Sequence, residues 1–394
     1  MLHSNAHTVG SSPLPGTTSL RVYTVEPEPS IEQEQEHPVI PRPQGRLPRI
    51  LIGLLALWLF IAAIAIMKDG AAPLGDLLKG STLTDTIAST LGFGWLGAML
   101  VMSGSPVAVA SLTMLGGGAI SADQSLTMLT GSRLGASFVV LTVSFLYALR
   151  SSSNKGRRRA SVSIGIYALV LTAIVYLPAL ALALPLLRSG ALDSVQIAAP
   201  SSFLDLVQTA IAPIVDLVSW VVPDTPGLLF LAGLALLLVS VRLVDLALPE
   251  AADAAQLEDH TDWRSSKWRM FAIGSLVALV TMSVSVALTV LVPAVSKGYF
   301  RRRHVLPYIL GANITTLGDT LLTAFLVDRP EALHVVLAEL IAITLITMIL
   351  LGLFYRPLEK YVMRFTDWTL DSRPRTLVFI GTLFVIPLLL IIVF

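Results

Sequence analysis

Charged side chains inside long apolar runs are the first candidates for chemistry in this chain. Arg133 interrupts the run from Asp123 to Leu149, Asp319 the run from His304 to Val327, and Glu339 the run from Glu331 to Tyr355. Charge at membrane depth is costly and marks ion and substrate pathways. A guanidinium presents a planar fork of donors that matches an oxyanion, so Arg133 is expected to contact an anion. The competing readings are a static salt bridge, with Asp319 as its partner, or a side chain that reaches the headgroups. Asp319 is expected to serve ion coupling, by ligating sodium or by taking and releasing a proton, against a purely structural pairing. Glu339 reads either way. Arg242 and Asp245, three apart on one helix face, read as a structural ion pair. Two hydroxyl pairs, Ser103 with Ser105 and Ser283 with Ser285, stand at breaks in apolar segments. An isolated serine there bonds a carbonyl one turn back, but paired placement at matching breaks suits a ligand role. Asn313, Thr315 and Thr316 read as caps of a half-helix, and an exposed cap is also where an anion docks.

These residues need a scaffold of membrane helices, and the composition supplies one. Hydrophobic residues make up 54% of the chain and charged residues 13%, against about 25% charged in an average soluble domain. Cysteine is absent, which excludes disulfides and thiolate chemistry, and the six histidines show no metal-ligand spacing. With no nucleophile–base pair or metal motif, an enzyme is not expected, nor is a nucleic-acid partner. Residues 1–47 are rich in Pro, Ser, Glu and Gln and read as a disordered cytoplasmic tail. Residues 48–394 read as the membrane domain. Arg42, Arg46 and Arg49 precede the first apolar run, Ile50 to Met67, so the positive-inside rule puts the N-terminus in the cytoplasm of a multi-pass cell-membrane protein. The loop Lys68 to Thr84 then lies outside. The basic blocks at 150–159, 297–303 and 356–375 face inward and the C-terminus outward. Gly227 to Leu248 reads as a span. Ser202 to Val222 carries a polar face and either lies in the outer interface or lines a cavity.

The chain also repeats itself. Met102-Ser103-x-Ser105 recurs as Met282-Ser283-x-Ser285 (282 − 102 = 180), and Gly118, Leu126 and Gly131 recur as Gly298, Leu306 and Gly311 at the same offset. Repeat 1 covers about 85–187 and repeat 2 about 269–355. Each reads as a re-entrant hairpin with a hydroxyl-bearing break, followed by a helix broken at glycine. In the first copy that helix ends at a basic block and in the second it begins after one, so the copies are inverted. The expected fold is an all-α polytopic membrane protein with two inverted repeats, each with a re-entrant hairpin and a broken transmembrane helix. Inverted repeats with broken helices are the architecture of secondary transporters. Position 133 is the counterpart of position 313, so Arg133 and Asn313 are expected to approach one cavity from opposite sides.

At these residues the chain resembles the sodium-dependent phosphate cotransporters, type II-like proteins and their bacterial relatives. Ser103-Gly104-Ser105 and Ser283-Val284-Ser285 sit where that family carries QSSS, once per repeat. Gly311-Ala312-Asn313-Ile314-Thr315-Thr316 is similar to its GANIGTT segment, and Gly131 to Ser137 looks like a degraded first copy. The likeness covers about residues 85–355. It departs at Met102 and Met282, which replace glutamines, and at Gly104 and Val284, which replace serines. The resemblance implies sodium-coupled symport of inorganic phosphate or a similar small oxyanion, with the serine segments forming the sodium and phosphate site and no cofactor beyond bound sodium. A transport-inactive sensor or scaffold of the same fold, and an anion channel, are the alternative classes.

Overall fold

The computed structural model describes residues 46–78, 81–150, 155–195, 201–222, 227–247, 266–281, 283–296, 300, 302–327 and 329–393. The expected tail, Met282 and most of the 297–303 block fall outside them. Every regular element among the described residues is a helix. Six stretches are long and apolar enough to cross a membrane: Leu47–Ala71, Ala122–Leu149, Arg158–Arg188, His304–Leu326, Pro330–Gly352 and Arg373–Val393.

Helix α1 (Arg46–Leu78) continues well past Met67, so the first part of the expected outer loop is helical. Helix α7 (Leu228–Ala247) holds it there. Gly70 lies against the backbone of Leu229 and Phe230, Gly233 against Met67, and Gly53 against Ala247, so the two helices run antiparallel along the same depth. The Ser240 hydroxyl donates to Ala56 O at 2.8 Å. Helix α6 (Ser201–Val221) is amphipathic and is not among the six spanning stretches. Its face with Gln208 and Asp216 borders a cavity of about 350 Å³, lined also by Lys68 and Asp69 of α1.

The repetition in sequence returns as repetition in packing. Helix α2 (Ile87–Val101) and helix α8 (Lys267–Thr281) have bounds offset by the same 180 residues. So do the first residues of α4 (Ala122–Arg150) and α11 (Arg302–Thr315). In the first set, a Cβ on Gly94 would overlap Met128 O and one on Gly131 would overlap Leu91 O. In the second, a Cβ on Gly274 would overlap Tyr308 O and one on Gly311 would overlap Phe271 O. Each pair of helices therefore meets backbone to backbone, at positions that only glycine fits.

After α2 the chain turns at Met102 (φ 55°), Ser103 and Gly104, with Gly104 packed on Ser132 and Ala136 in the middle of α4. Helix α3 (Ser105–Gly116) then climbs back along α4, tied by the Ser111 and Ser125 hydroxyls at 3.0 Å. The second copy turns at Ser283, whose hydroxyl caps α9 (Val284–Thr289), and α10 (Leu291–Ser296) follows. The breaks at the serine pairs fall where the sequence puts them.

The breaks at glycine do not. Helix α4 is continuous through Gly131–Gly135. A helical glycine costs only about 1 kcal/mol relative to alanine, and here it permits the contact with α2. In the second copy Gly311 likewise lies within α11, and the discontinuity comes later, at Thr316 and Leu317, before α12 (Gly318–Leu326). There Thr315 turns its hydroxyl to Ser275 O at 2.7 Å, and the backbone bonds of Thr316 and Leu317 stretch to 3.4 Å.

Helix α5 (Lys155–Arg188), helix α13 (Pro330–Gly352), helix α14 (Tyr355–Leu370) and helix α15 (Arg373–Val393) complete the bundle. Ion pairs gather the basic segments at one end. Arg159 bonds Asp371 at 2.6 Å and Asp367 at 3.3 Å, and Arg302 meets Asp367 at 3.5 Å. Lys267 donates to Leu351 O at 2.7 Å at that same end. At the opposite end Arg188 pairs with Asp123 at 2.8 Å, and His334 contacts Val195 O at 3.2 Å. Helix α4 thus starts at the far end, whereas α11 starts at the basic end.

The glycine contacts make a paired prediction. Gly94→Ala and Gly274→Ala should each destabilise the fold by about 1–3 kcal/mol, as overpacking does, and so lower the thermal unfolding midpoint in detergent. Gly352→Ala, where a Cβ meets nothing within 4 Å, should leave it unchanged. Equal midpoints in all three proteins would refute the backbone-contact account.

Candidate functional site

The middle of the bundle holds polar groups that the helices bring in one by one. Helix α4 supplies Thr130 and Arg133, which share a face at helical spacing. Helix α5 supplies Thr172 and Tyr176, α11 supplies Asn313, α12 supplies Asp319 and Thr320, and α13 supplies Glu339. None of these residues is more than 4% exposed.

The two repeats meet at an ion pair. One terminal nitrogen of Arg133 lies 3.4 Å from Asp319 Oδ1 and donates to Thr320 Oγ1 at 3.3 Å. Asp319 is in the first turn of α12, where the helix end favours negative charge, and its Oδ1 also accepts from Thr320 N at 2.7 Å. Next to this pair, Thr130 donates to Glu339 Oε1 at 2.9 Å. Arg133 interacts electrostatically with Asp319, Tyr176 and Glu339 together. On the other side Tyr176 donates to Asn313 O at 2.8 Å, and Asn313 Nδ2 donates to Thr172 Oγ1 at 3.3 Å.

Satisfaction is incomplete in a revealing way. Arg133 Nε, Asp319 Oδ2 and Glu339 Oε2 are buried and have no hydrogen-bond partner. Buried polar atoms are nearly always paired, and orphans in a native interior call for a role. Three of them in one cluster define this as the candidate site.

No protein family, characterised protein or solved structure matches this chain. What the cluster can do chemically follows from its donors and acceptors. Arg133 and the start of α12 together present donors and positive charge at one corner, and the Asp319 carboxylate occupies it. Glu339 lies within electrostatic reach of the same guanidinium, so the cluster sets two carboxyl groups against one guanidinium.

The expected site residues divide accordingly. Arg133, Asp319 and Asn313 enter the cluster, and the salt bridge that competed with anion contact at Arg133 is formed. Thr316 is buried beside them, with its hydroxyl 3.4 Å from Asn313 O. Thr315 points instead to α8 through Ser275 O. Ser103 and Ser105 turn beside Ser132, the neighbour of Arg133, and are half-buried. Ser283 spends its hydroxyl on Val286 N, and Ser285 is half-buried on α9. Among the described residues, none of these four serines hydrogen-bonds the charge cluster. Asn313 lies inside α11 rather than capping a half-helix, because the break comes after it; Thr316 is in the break but does not cap α12, which starts from Leu317 without a side-chain cap. Arg242 is exposed, and the Asp245 side chain lies outside the described residues. The sequence gives no sign of Tyr176 and Thr172, which are uncharged and common in such helices. Thr130 was discoverable, one turn before Arg133.

Removing one partner of a buried ion pair costs about 3–5 kcal/mol. Arg133→Gln and Asp319→Asn should each lower the unfolding midpoint, and the double variant should recover much of the loss. The check is a double-mutant cycle on thermal unfolding in detergent. Additive losses would mean that the two groups do not depend on each other.

Proposed function

We propose that this chain is an ion-coupled secondary transporter that carries inorganic phosphate or a similar small oxyanion, with sodium or a proton as the coupling ion. The observation that carries the reading is the anion corner. Arg133 and the first turn of α12 hold a carboxylate, Asp319, that an incoming oxyanion can replace. A substrate that exchanges with an internal anion costs less than one that must fill a bare buried charge. The resemblance of the serine turns and the GAN segment to sodium-dependent phosphate cotransporters names phosphate and sodium.

The architecture fits the same reading. Two packing units related by 180 residues, entered from opposite ends of the bundle, are read as inverted repeats, with the turns at Ser103 and Ser283 as the tips of re-entrant hairpins. Unwound backbone persists at such depth when protein or a water-filled cavity shields it. The basic end is read as cytoplasmic, which places the N-terminus inside and the C-terminus outside. Rocking of one repeat against the other would break and remake the Arg133–Asp319 contact, which joins them.

Two measurements test this. Radiolabelled phosphate should accumulate in proteoliposomes under an inward sodium or proton gradient and should saturate. Arg133→Lys keeps the charge but loses the fork. It should raise the half-saturating concentration by roughly 10–100-fold, for a charged hydrogen bond of about 1.5–3 kcal/mol. No accumulation under either gradient would refute the proposal. Phosphate binding without flux would favour a sensor, and flux that neither saturates nor needs a gradient would favour a channel. Single cysteines near Arg157, in a chain that has none of its own, should resist impermeant reagents in intact cells; ready labelling there would overturn the inverted-repeat reading.

A further inference from the structure

Arg133, Asp319 and Glu339 are 3%, 4% and 1% exposed. The Arg133–Asp319 pair cancels itself, which leaves Glu339 as one surplus acid in an apolar interior. An uncompensated buried charge costs several kcal/mol. The local hydrogen bonds agree with a neutral acid. An ionised carboxylate offers about four acceptor sites, yet Glu339 receives one hydroxyl, that of Thr130, and its Oε2 accepts nothing. Around it on α13 stand Val335, Val336, Ala338, Ala342 and Ile343, all buried.

We propose that Glu339 carries a proton in this structure and is the point at which a coupling proton enters the site. This rests on the transporter reading above. The groups that face Glu339 are few. Helix α4 presents Arg133 and α5 presents Tyr176, α12 brings Asp319 against those two, and α3 has no ionisable residue. The ionisable side chains of α11 all precede Asn313, and its Tyr308 is bonded to Ala287 O at 3.0 Å. Those of α14 lie at the basic end, past Gly352.

Arg133 links proton and anion. An oxyanion that takes the place of Asp319 on the guanidinium brings additional negative charge to the cluster. A proton on Glu339 offsets that charge, so each ligand strengthens binding of the other, and the effect is reciprocal. Only an O–H bond changes: Oε2 gains a proton from water on loading and returns it to water on release. Thr130 ties Glu339 to α4 one turn from Arg133, so a shift of α4 reaches both groups.

Infrared spectroscopy of the full chain in sodium-free liposomes at neutral pH reads this directly. A carbonyl stretch of a protonated carboxylic acid should be present and should shift in heavy water. It should vanish in Glu339→Gln and move in Glu339→Asp. Phosphate should perturb it, and phosphate accumulation driven by a proton gradient should be lost in Glu339→Gln. Glu339→Asp keeps a titratable acid in place and serves if the glutamine variant does not fold. An identical spectrum in wild type and Glu339→Gln would overturn the proposal. So would stoichiometric binding of radioactive sodium that Glu339→Gln abolishes, since the carboxylate would then hold sodium. A band assigned to Glu339 in a protein that moves no phosphate under any gradient would support the proton site and sink the transporter reading beneath it.

Discussion

A buried guanidinium cannot stand alone, and the Arg133–Asp319 pair is the contact on which the centre of this protein depends. Each group would cost several kcal/mol if stranded in the apolar bundle. Their partnership requires α4 and α12 to meet at mid-depth, and so requires the two repeats to pack against each other. The start of α12 adds its own preference for negative charge at Asp319. The chain break at Thr316 and Leu317 is what puts a helix start at that depth, so a local irregularity in backbone serves the charge at the centre.

The rest of the bundle is arranged to make that meeting possible. Glycines in matched positions bring α2 onto α4 and α8 onto α11 with backbone contact, which leaves room for the short turns at Ser103 and Ser283. Salt bridges among Arg159, Arg302, Asp367 and Asp371 join segments far apart in the chain at one end. These pairs are partly exposed and individually contribute little. Their value is in fixing which helix ends lie together. Between the ends, hydroxyls of Thr130 and Thr320 bond Glu339 and Arg133, and those of Tyr176 and Thr172 bond Asn313 beside them.

Such a network suits a molecule that must change state. Fully satisfied polar clusters rigidify a core, and partly satisfied ones leave options. Here the orphaned atoms belong to the three ionisable groups themselves, Arg133, Asp319 and Glu339. In the transporter proposed above, anion binding, cation binding and exchange of partners would all act on those same atoms, so that one cluster would serve substrate and coupling ion together.

Composition and periodicity by themselves determined that this chain is built from apolar helices, because runs near 20 residues with charge confined between them have no other stable solution in lipid. They also determined the 180-residue repetition and the breaks at the serine pairs, since Gly104 and Pro106 end the helix locally at the first and the second matches it at the same offset. The intramembrane charges were legible for the same reason: a lone Arg133 or Asp319 in an apolar run is conspicuous. Only the tertiary structure decided what glycine does. Gly131 and Gly311 look like helix breakers in isolation but are places where another helix comes close, and the difference depends on the neighbour, not on the residue. Partner choice was likewise decided in three dimensions. Arg133 had an anion, Asp319 or the headgroups open to it, and Glu339 had no visible partner at all. Thr130 and Thr320 joined the cluster through α4 and α12, and Tyr176 came from α5, because hydrogen-bond partners at large sequence separation are fixed by packing and leave no mark on local pattern.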